Sequence, residues 1–291
     1  MRKSSLYLPD RLKASLSARA AATGRSEADL IRDAIASALA RPVEAPAAPR
    51  DPRVPGRLVG VGVGPGEGDL LTLRAVAALR RADCVLAPTT AVDAVGRAEA
   101  VIRDAVPGLA VERVAFAMSR SRRTRNRSVD QAATAVISHL EQGEEVAWIT
   151  LGDPLVYSTF SAIAARVARK RPATIVTQVP GIMAFQALAA RTGTVIADER
   201  SRLTVRTALE GDDLERDLAD NESTVVIYKG GRRLPELADR AAQLGRTRGV
   251  VAGELLGMPG ERVGPLEDLS AAGPASYLAT VIVPAFNGGA G

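Results

Sequence analysis

The chain has 291 residues, 46% of them hydrophobic and 24% charged, which excludes wholesale disorder and allows one large domain or two to three smaller ones. No apolar run approaches the roughly 20 residues of a bilayer-spanning helix, so no membrane association is expected. Arg2, Lys3, Asp10, Arg11 and Lys13 interrupt the stretch where a signal-peptide core would lie. The net charge of +5 is uneven: residues 1–50 hold nine Lys/Arg against five Asp/Glu, and Arg120, Arg122, Arg123, Arg125 and Arg127 form a second basic patch. Each patch marks a place for an anionic partner. The single cysteine, Cys84, has no partner for an internal disulfide, which points to the cytoplasm. It lies in the apolar run Cys84–Ala87 and reads as a small core residue.

The first 40 residues form a unit of their own. Ser4–Leu8 alternates as a short strand does, and Leu12, Leu16 and Ala20 recur at helical spacing. Gly24 suits a left-handed helix end. Ser26 with Asp29 opens a second helix in the manner of a capping box, with Ile31, Ala34, Ile35 and Ala38 as its apolar face. So small a unit has too little core to stand alone. Residues 41–56 carry five prolines and read as a semi-extended linker.

From Arg57 onward, strands alternate with helices. Strands are expected over Leu58–Val63, Val85–Pro88, Val146–Leu151 and Thr174–Val179, and helices over Leu71–Arg81, Asp130–Gln142 and Ser158–Lys170. This is the rhythm of a mostly parallel sheet. After about residue 185 the alternation loosens. Strands at Leu203–Thr207, Thr224–Tyr228 and Leu278–Pro284 around a helix at Leu234–Leu244 suggest a second lobe with a mixed sheet.

Three loops carry candidate chemistry, each following a strand. Gly60–Gly66 (GVGVGPG) lacks the third glycine of a dinucleotide fingerprint and the Gly-Lys-Ser/Thr of a phosphate loop. Pro65 also removes a backbone donor that a phosphate would use. Such a loop suits close backbone approach to a ligand that is not held by its phosphates, or is a plain tight turn. Thr150–Ser158 (TLGDPLVYS) lies at a strand's carboxyl end, where ligands of α/β sheets bind. There Asp153 either closes an Asx turn before Pro154 or touches a ligand. Val179–Ala184 (VPGIMA) contains a common Pro-Gly turn pair.

Together the three loops resemble the tetrapyrrole methylases, over about Arg57–Phe286. The resemblance implies a two-lobed α/β fold, with a parallel-sheet lobe at 57–172 and a mixed-sheet lobe at 173–286, and a homodimer. It implies S-adenosylmethionine as cofactor, held by Gly62, Gly64, Pro65, Gly152, Asp153, Val156, Met183, Ala184, Lys229 and Leu256, mostly through backbone groups. Thr150–Phe160, Tyr228–Arg233 and Met258–Arg262 look more like the precorrin-2 C(20)-methyltransferases of cobalamin (corrin) biosynthesis than the uroporphyrinogen-III or precorrin-4 enzymes. The expected substrate is then an anionic tetrapyrrole. Arg120, Arg122, Arg123 and Arg125 either clamp its carboxylates bidentately or form a solvated basic loop before the Asp130 helix. A methylase of the same fold acting on another precorrin, rRNA or protein is the alternative, or a DNA-binding regulator whose body senses a ligand.

No catalytic acid or base stands out. His139, the single histidine, reads as a surface or packing residue. With one His and one Cys, no metal cluster is expected. Methyl transfer from a sulfonium to an electron-rich carbon requires neither. The first 40 residues resemble a ribbon-helix-helix unit: strand Lys3–Leu8, helix Asp10–Ala22, turn Thr23–Arg25 and helix Ser26–Leu39. That resemblance implies a dimer whose paired strands turn Lys3, Ser5 and Tyr7 toward the bases of duplex DNA. Dimerisation alone is the other reading.

Overall fold

The computed structural model describes residues 7–40, 54–117, 121–208, 213–273 and 275–286. Lys3, Ser5, Arg120 and most of the expected linker lie outside these. The chain divides into two compact units, Met1–Pro49 and Arg50–Gly291.

The first unit is a helical hairpin of α1 (Asp10–Thr23) and α2 (Glu27–Ala40). Gly24 ends α1 in the left-handed conformation, φ +64°. The Ser26 hydroxyl accepts from the Asp29 amide at 3.1 Å and donates to the Asp29 carboxylate at 2.6 Å, the expected start of α2. Of the expected strand Lys3–Leu8, Tyr7 and Leu8 have no regular structure, and the rest lies outside the described residues. No residue from Tyr7 to Ala36 is buried. Leu12 and Ile35 are 56% and 49% exposed, whereas Leu16, Leu30 and Ile31 are half-buried.

The second unit opens with nine elements that make one layered lobe. They are β1 (Arg57–Gly62), α3 (Leu73–Arg81), β2 (Cys84–Thr89), α4 (Arg97–Ala105), β3 (Glu112–Ala115), α5 (Arg122–Leu140), β4 (Glu145–Thr150), α6 (Phe160–Lys170) and β5 (Ile175–Val179). The strands pair in the order β3-β2-β4-β1-β5, all parallel. Their apolar runs are covered on both faces, as a parallel sheet requires. Val59, Val61, Ala147 and Ile149 meet Leu79 of α3 and Ile102 of α4. Leu58, Leu86 and Trp148 meet Val136 and Leu140 of α5 and Phe160 and Ile163 of α6.

Two expectations shift here. Helix α5 starts at Arg122, ahead of the expected Asp130, because Ser121 caps it by accepting from the Thr124 amide at 3.4 Å. Strand β5 pairs with β1, so the first sheet continues to Val179, past the boundary drawn at residue 172.

The rest forms the second lobe: α7 (Ala184–Thr192), β6 (Arg202–Thr207), α8 (Asp213–Ala219), β7 (Ser223–Tyr228), α9 (Leu234–Gln243), β8 (Val251–Glu254), β9 (Arg262–Pro265), α10 (Leu266–Ala271) and β10 (Thr280–Val283). Its sheet runs β6-β7-β10-β8-β9. The first pair is parallel and the other three are antiparallel, giving the mixed sheet expected. Arg246 is buried in this lobe. Its guanidinium donates to the carbonyls of Leu218, Asp220, Ser223 and Pro284 at 2.6–2.9 Å. No helix among the described residues is long and apolar enough to cross a membrane.

Candidate functional site

The strand order sets β4, β1 and β5 side by side, so the three loops singled out in the sequence emerge together at the carboxyl edge of the first sheet. They are locked by backbone contacts. The Gly152 amide donates to the Gly64 carbonyl at 2.8 Å. A Cβ on Gly62 would lie 2.4 Å from the Gly152 oxygen and 2.7 Å from the Gly181 nitrogen, so only glycine permits this approach. Asp153 joins two of the loops: one carboxylate oxygen accepts from the Leu155 amide at 2.8 Å, the other from the Gly181 amide at 3.1 Å. The expected Asx turn is therefore present, and the same side chain reaches the next loop.

A cleft with about 760 Å³ of empty space, its solvent-open mouth included, lies over these loops. Eight of the ten residues expected around a cofactor line it: Pro65, Gly152, Asp153, Val156, Met183, Ala184, Lys229 and Leu256. Gly62 and Gly64 lie outside the lining, where they set the loops that form its floor. The second lobe closes the other side through the segments after β7 and β8, which bring Lys229 and Leu256.

Backbone strain concentrates in this cleft. Tyr157, Lys229 and Leu255 have φ of 50°, 61° and 52°, the three positive values at non-glycine residues among those described, and all three line the cleft. Such conformations cost about 1–3 kcal/mol each and cluster at functional sites. The Tyr157 hydroxyl donates to the Val205 carbonyl at 2.7 Å, and its ring stands edge-on to Tyr228 at 6.1 Å. Burial raises the Tyr228 phenol above its ordinary range. Burial also lowers the Lys229 ammonium.

Sequence reasoning missed Arg97, Leu151, Tyr157, Tyr228, Leu255, Met258 and Leu278 as lining residues. Leu151, Tyr157, Tyr228 and Met258 stand in segments already noted; Arg97 begins a helix that no capping pattern announced. Arg122, Arg123, Arg125 and Arg127 are exposed on the first turns of α5 and are absent from the lining. Arg125 nevertheless bears on Tyr277, whose phenol is raised by burial and lowered again by that arginine. Tyr277 in turn faces Lys229, whose Nζ is 6.0 Å from its ring centre.

Cys84 and His139 lie at the opposite, amino edge of the sheet. Burial, then the carboxylates of Glu112, Glu144 and Asp83, push the Cys84 thiol up to about 12, which suits no nucleophile. His139 packs between Glu144, 2.7 Å from Nδ1, and Glu112, 3.1 Å from Nε2.

Comparison with known proteins agrees with this geometry. The family model described as Tetrapyrrole (Corrin/Porphyrin) Methylases matches residues 57–270. The model for ribbon-helix-helix proteins of the copG family matches residues 5–42. A precorrin-2 C(20)-methyltransferase from Sinorhizobium sp is 31% identical, over 79% of this chain and 95% of that protein. A cobalt-precorrin-2 C(20)-methyltransferase from Salmonella typhimurium is 27% identical, over 78% and 96%. Among solved structures, a cobalt precorrin-4 methyltransferase has a TM-score of 0.60 at 20% identity, covering 78% of this chain and 94% of that one. At that identity it speaks for the fold alone.

Proposed function

Since the chain belongs to the tetrapyrrole methylases, we propose that it methylates precorrin-2 at ring carbon 20, in cobalamin biosynthesis, with S-adenosylmethionine as methyl donor. The observation that carries the reading is the cleft over three interlocked loops, with every positive-φ non-glycine residue of the described chain on its lining. A glycine floor and strained backbone at the rim suit a ligand gripped by main-chain groups. The bound cofactor supplies an electrophilic methyl group on a sulfonium, and the reduced macrocycle supplies the carbon nucleophile.

The chain's own part is positioning. Asp153 fixes the loop of Gly181 against that of Gly152. Leu151, Val156, Leu256, Met258 and Leu278 give the cleft an apolar wall that excludes water. Holding two reactants in line contributes roughly 7–11 kcal/mol of barrier lowering, without an acid or base from the protein. Arg97 in the cleft, with Arg122, Arg123 and Arg125 on α5, supplies guanidinium partners for the substrate's carboxylates. Cations at a helix's positive end are disfavoured unless an anion offsets them, which supports a substrate role for this turn. The expected homodimer and cytoplasmic location complete the reading.

The test is precorrin-2 with a methyl-labelled cofactor and the purified protein. The label should appear at carbon 20 by NMR. A methyl on another carbon, or faster turnover of uroporphyrinogen III, would assign a sister activity.

A second reading concerns residues 5–42, carried by the ribbon-helix-helix match. It adds duplex DNA as a partner of the dimer, with Lys3, Ser5 and Tyr7 toward the bases. A gel shift should detect full-length protein on duplex DNA with affinity falling steeply as salt rises. Equal binding by a Lys3→Ala/Tyr7→Ala variant would leave dimerisation as the unit's role.

A further inference from the structure

One histidine and one cysteine make no metal site by themselves, but a carboxylate can join them. Cys84 opens β2, Glu112 opens β3, and His139 lies in the last turn of α5. These positions meet at the amino edge of the first sheet. One ligand atom from each of Cys84, Glu112 and His139 falls within 4.8 Å of the other two. We propose that Cys84 Sγ, His139 Nε2 and Glu112 Oε2 bind a divalent transition-metal ion of the zinc class, with water completing a tetrahedron.

Two of the three ligand–ligand spacings match a coordination sphere, and the third, between Cys84 and Glu112, lies within 4.8 Å. Zinc bonds of about 2.3 Å to sulfur and 2.0–2.1 Å to nitrogen and oxygen give tetrahedral edges of about 3.5 Å for S···N and 3.3 Å for N···O. The separations are 3.5 Å for Cys84 Sγ to His139 Nε2 and 3.1 Å for His139 Nε2 to Glu112 Oε2. Glu144 supplies the outer partner. It lies 2.7 Å from His139 Nδ1; with Nδ1 as donor to that carboxylate, Nε2 would present its lone pair to the ion, as in carboxylate–histidine–metal triads. A sulfur donor, an imidazole nitrogen and a carboxylate oxygen converging on one point are the ligand types that zinc-class ions take. Glu112 is exposed and Cys84 half-buried, so an ion can enter from solvent.

Binding replaces the Cys84 S–H bond with a metal–sulfur bond and releases that proton to solvent. Occupancy ties the end of α5 to β2 and β3, at the edge of the sheet away from the cleft.

The experiment uses the full chain, stripped with a chelator and desalted. It is titrated with Co²⁺ and followed by its near-ultraviolet spectrum, then with Zn²⁺ by calorimetry. The chain has one cysteine, so a thiolate-to-cobalt charge-transfer band can arise only at Cys84. The expected results are one Zn²⁺ per chain, a cobalt band that Zn²⁺ removes, and a metal-dependent rise in Tm. Cys84→Ser should abolish the band. Glu112→Gln, a surface change that leaves the fold intact by circular dichroism, should weaken Zn²⁺ binding about tenfold, and Glu144→Gln by about 10–100-fold. No stoichiometric uptake, a cobalt complex without the band, or unchanged affinity in folded Glu112→Gln would overturn the site and leave His139 as a packing residue between two glutamates.

Discussion

The two edges of the first sheet are built from different materials. At the carboxyl edge, glycines, a proline and strained backbone shape a cleft, and Asp153 commits both carboxylate oxygens to amides. At the amino edge, ionisable side chains from β2, β3 and α5 converge within a few ångströms. One site is made of main chain and tolerates little change of shape; the other is made of side chains and tolerates little change of chemistry. Substitutions should therefore separate them.

The largest effect is expected at Gly62→Val. Its side chain would enter the space of Gly152 and Gly181, displacing two loops at once. Methyl transfer should fall by roughly 100-fold or more, the cost of an ångström-scale misplacement, and calorimetry should show cofactor binding lost. Normal binding by this variant would break the claim that backbone packing makes the site.

Glu99→Gln tests the reverse case, a side-chain cluster whose role is stability. Buried Glu99 is held below the usual carboxylate range by Arg113, then by Arg103, against its own burial. Because its folded pKa is depressed, this contribution is full above the unfolded value of about 4.3 and is lost as pH falls through the folded value. The substitution should cost about 2 kcal/mol near neutral pH and flatten the acid limb of the stability curve. A denaturant titration across pH measures both; an unchanged acid limb would remove Glu99 as its source.

A smaller effect is expected from Arg122→Ala/Arg123→Ala/Arg125→Ala: about tenfold weaker substrate binding, more at low salt, with cofactor affinity retained. Unchanged substrate affinity would assign these arginines to solvent. The smallest effect is expected at Cys84→Ser, whose cofactor affinity should stay within about twofold of the parent because distant sites act independently. A large loss there would show that the two edges are coupled.

The same contrast explains what was legible in the sequence. Gly60–Gly66, Gly152–Pro154 and Val179–Ala184 are contiguous motifs, and each loop could be seen whole before its neighbours were known. Buried strands such as Val146–Thr150 also announced themselves as apolar runs. Cys84, Glu112 and His139 are far apart in sequence, each ordinary by itself, and only the strand order joins them. Strand β3 and helix α4 escaped because Glu112–Ala115 is too short for a pattern and Gly96 caps α4 without a side-chain hydrogen bond. The early start of α5 was hidden by its run of arginines, which resembles a solvated loop until Ser121 is recognised as a cap.

Strand β10 has a consequence for biosynthesis. It lies between β7 and β8 in the second sheet yet follows both in the chain. β7 and β8 leave the ribosome before β10 and, until it follows, have no partner between them. At synthesis rates of about 5–20 residues per second, this interval lasts a few seconds. Open strand edges are templates for wrong pairing, and Arg246 cannot reach its Pro284 carbonyl until β10 has passed. The second lobe should therefore depend on chaperones more than the first, whose five strands are complete by Val179.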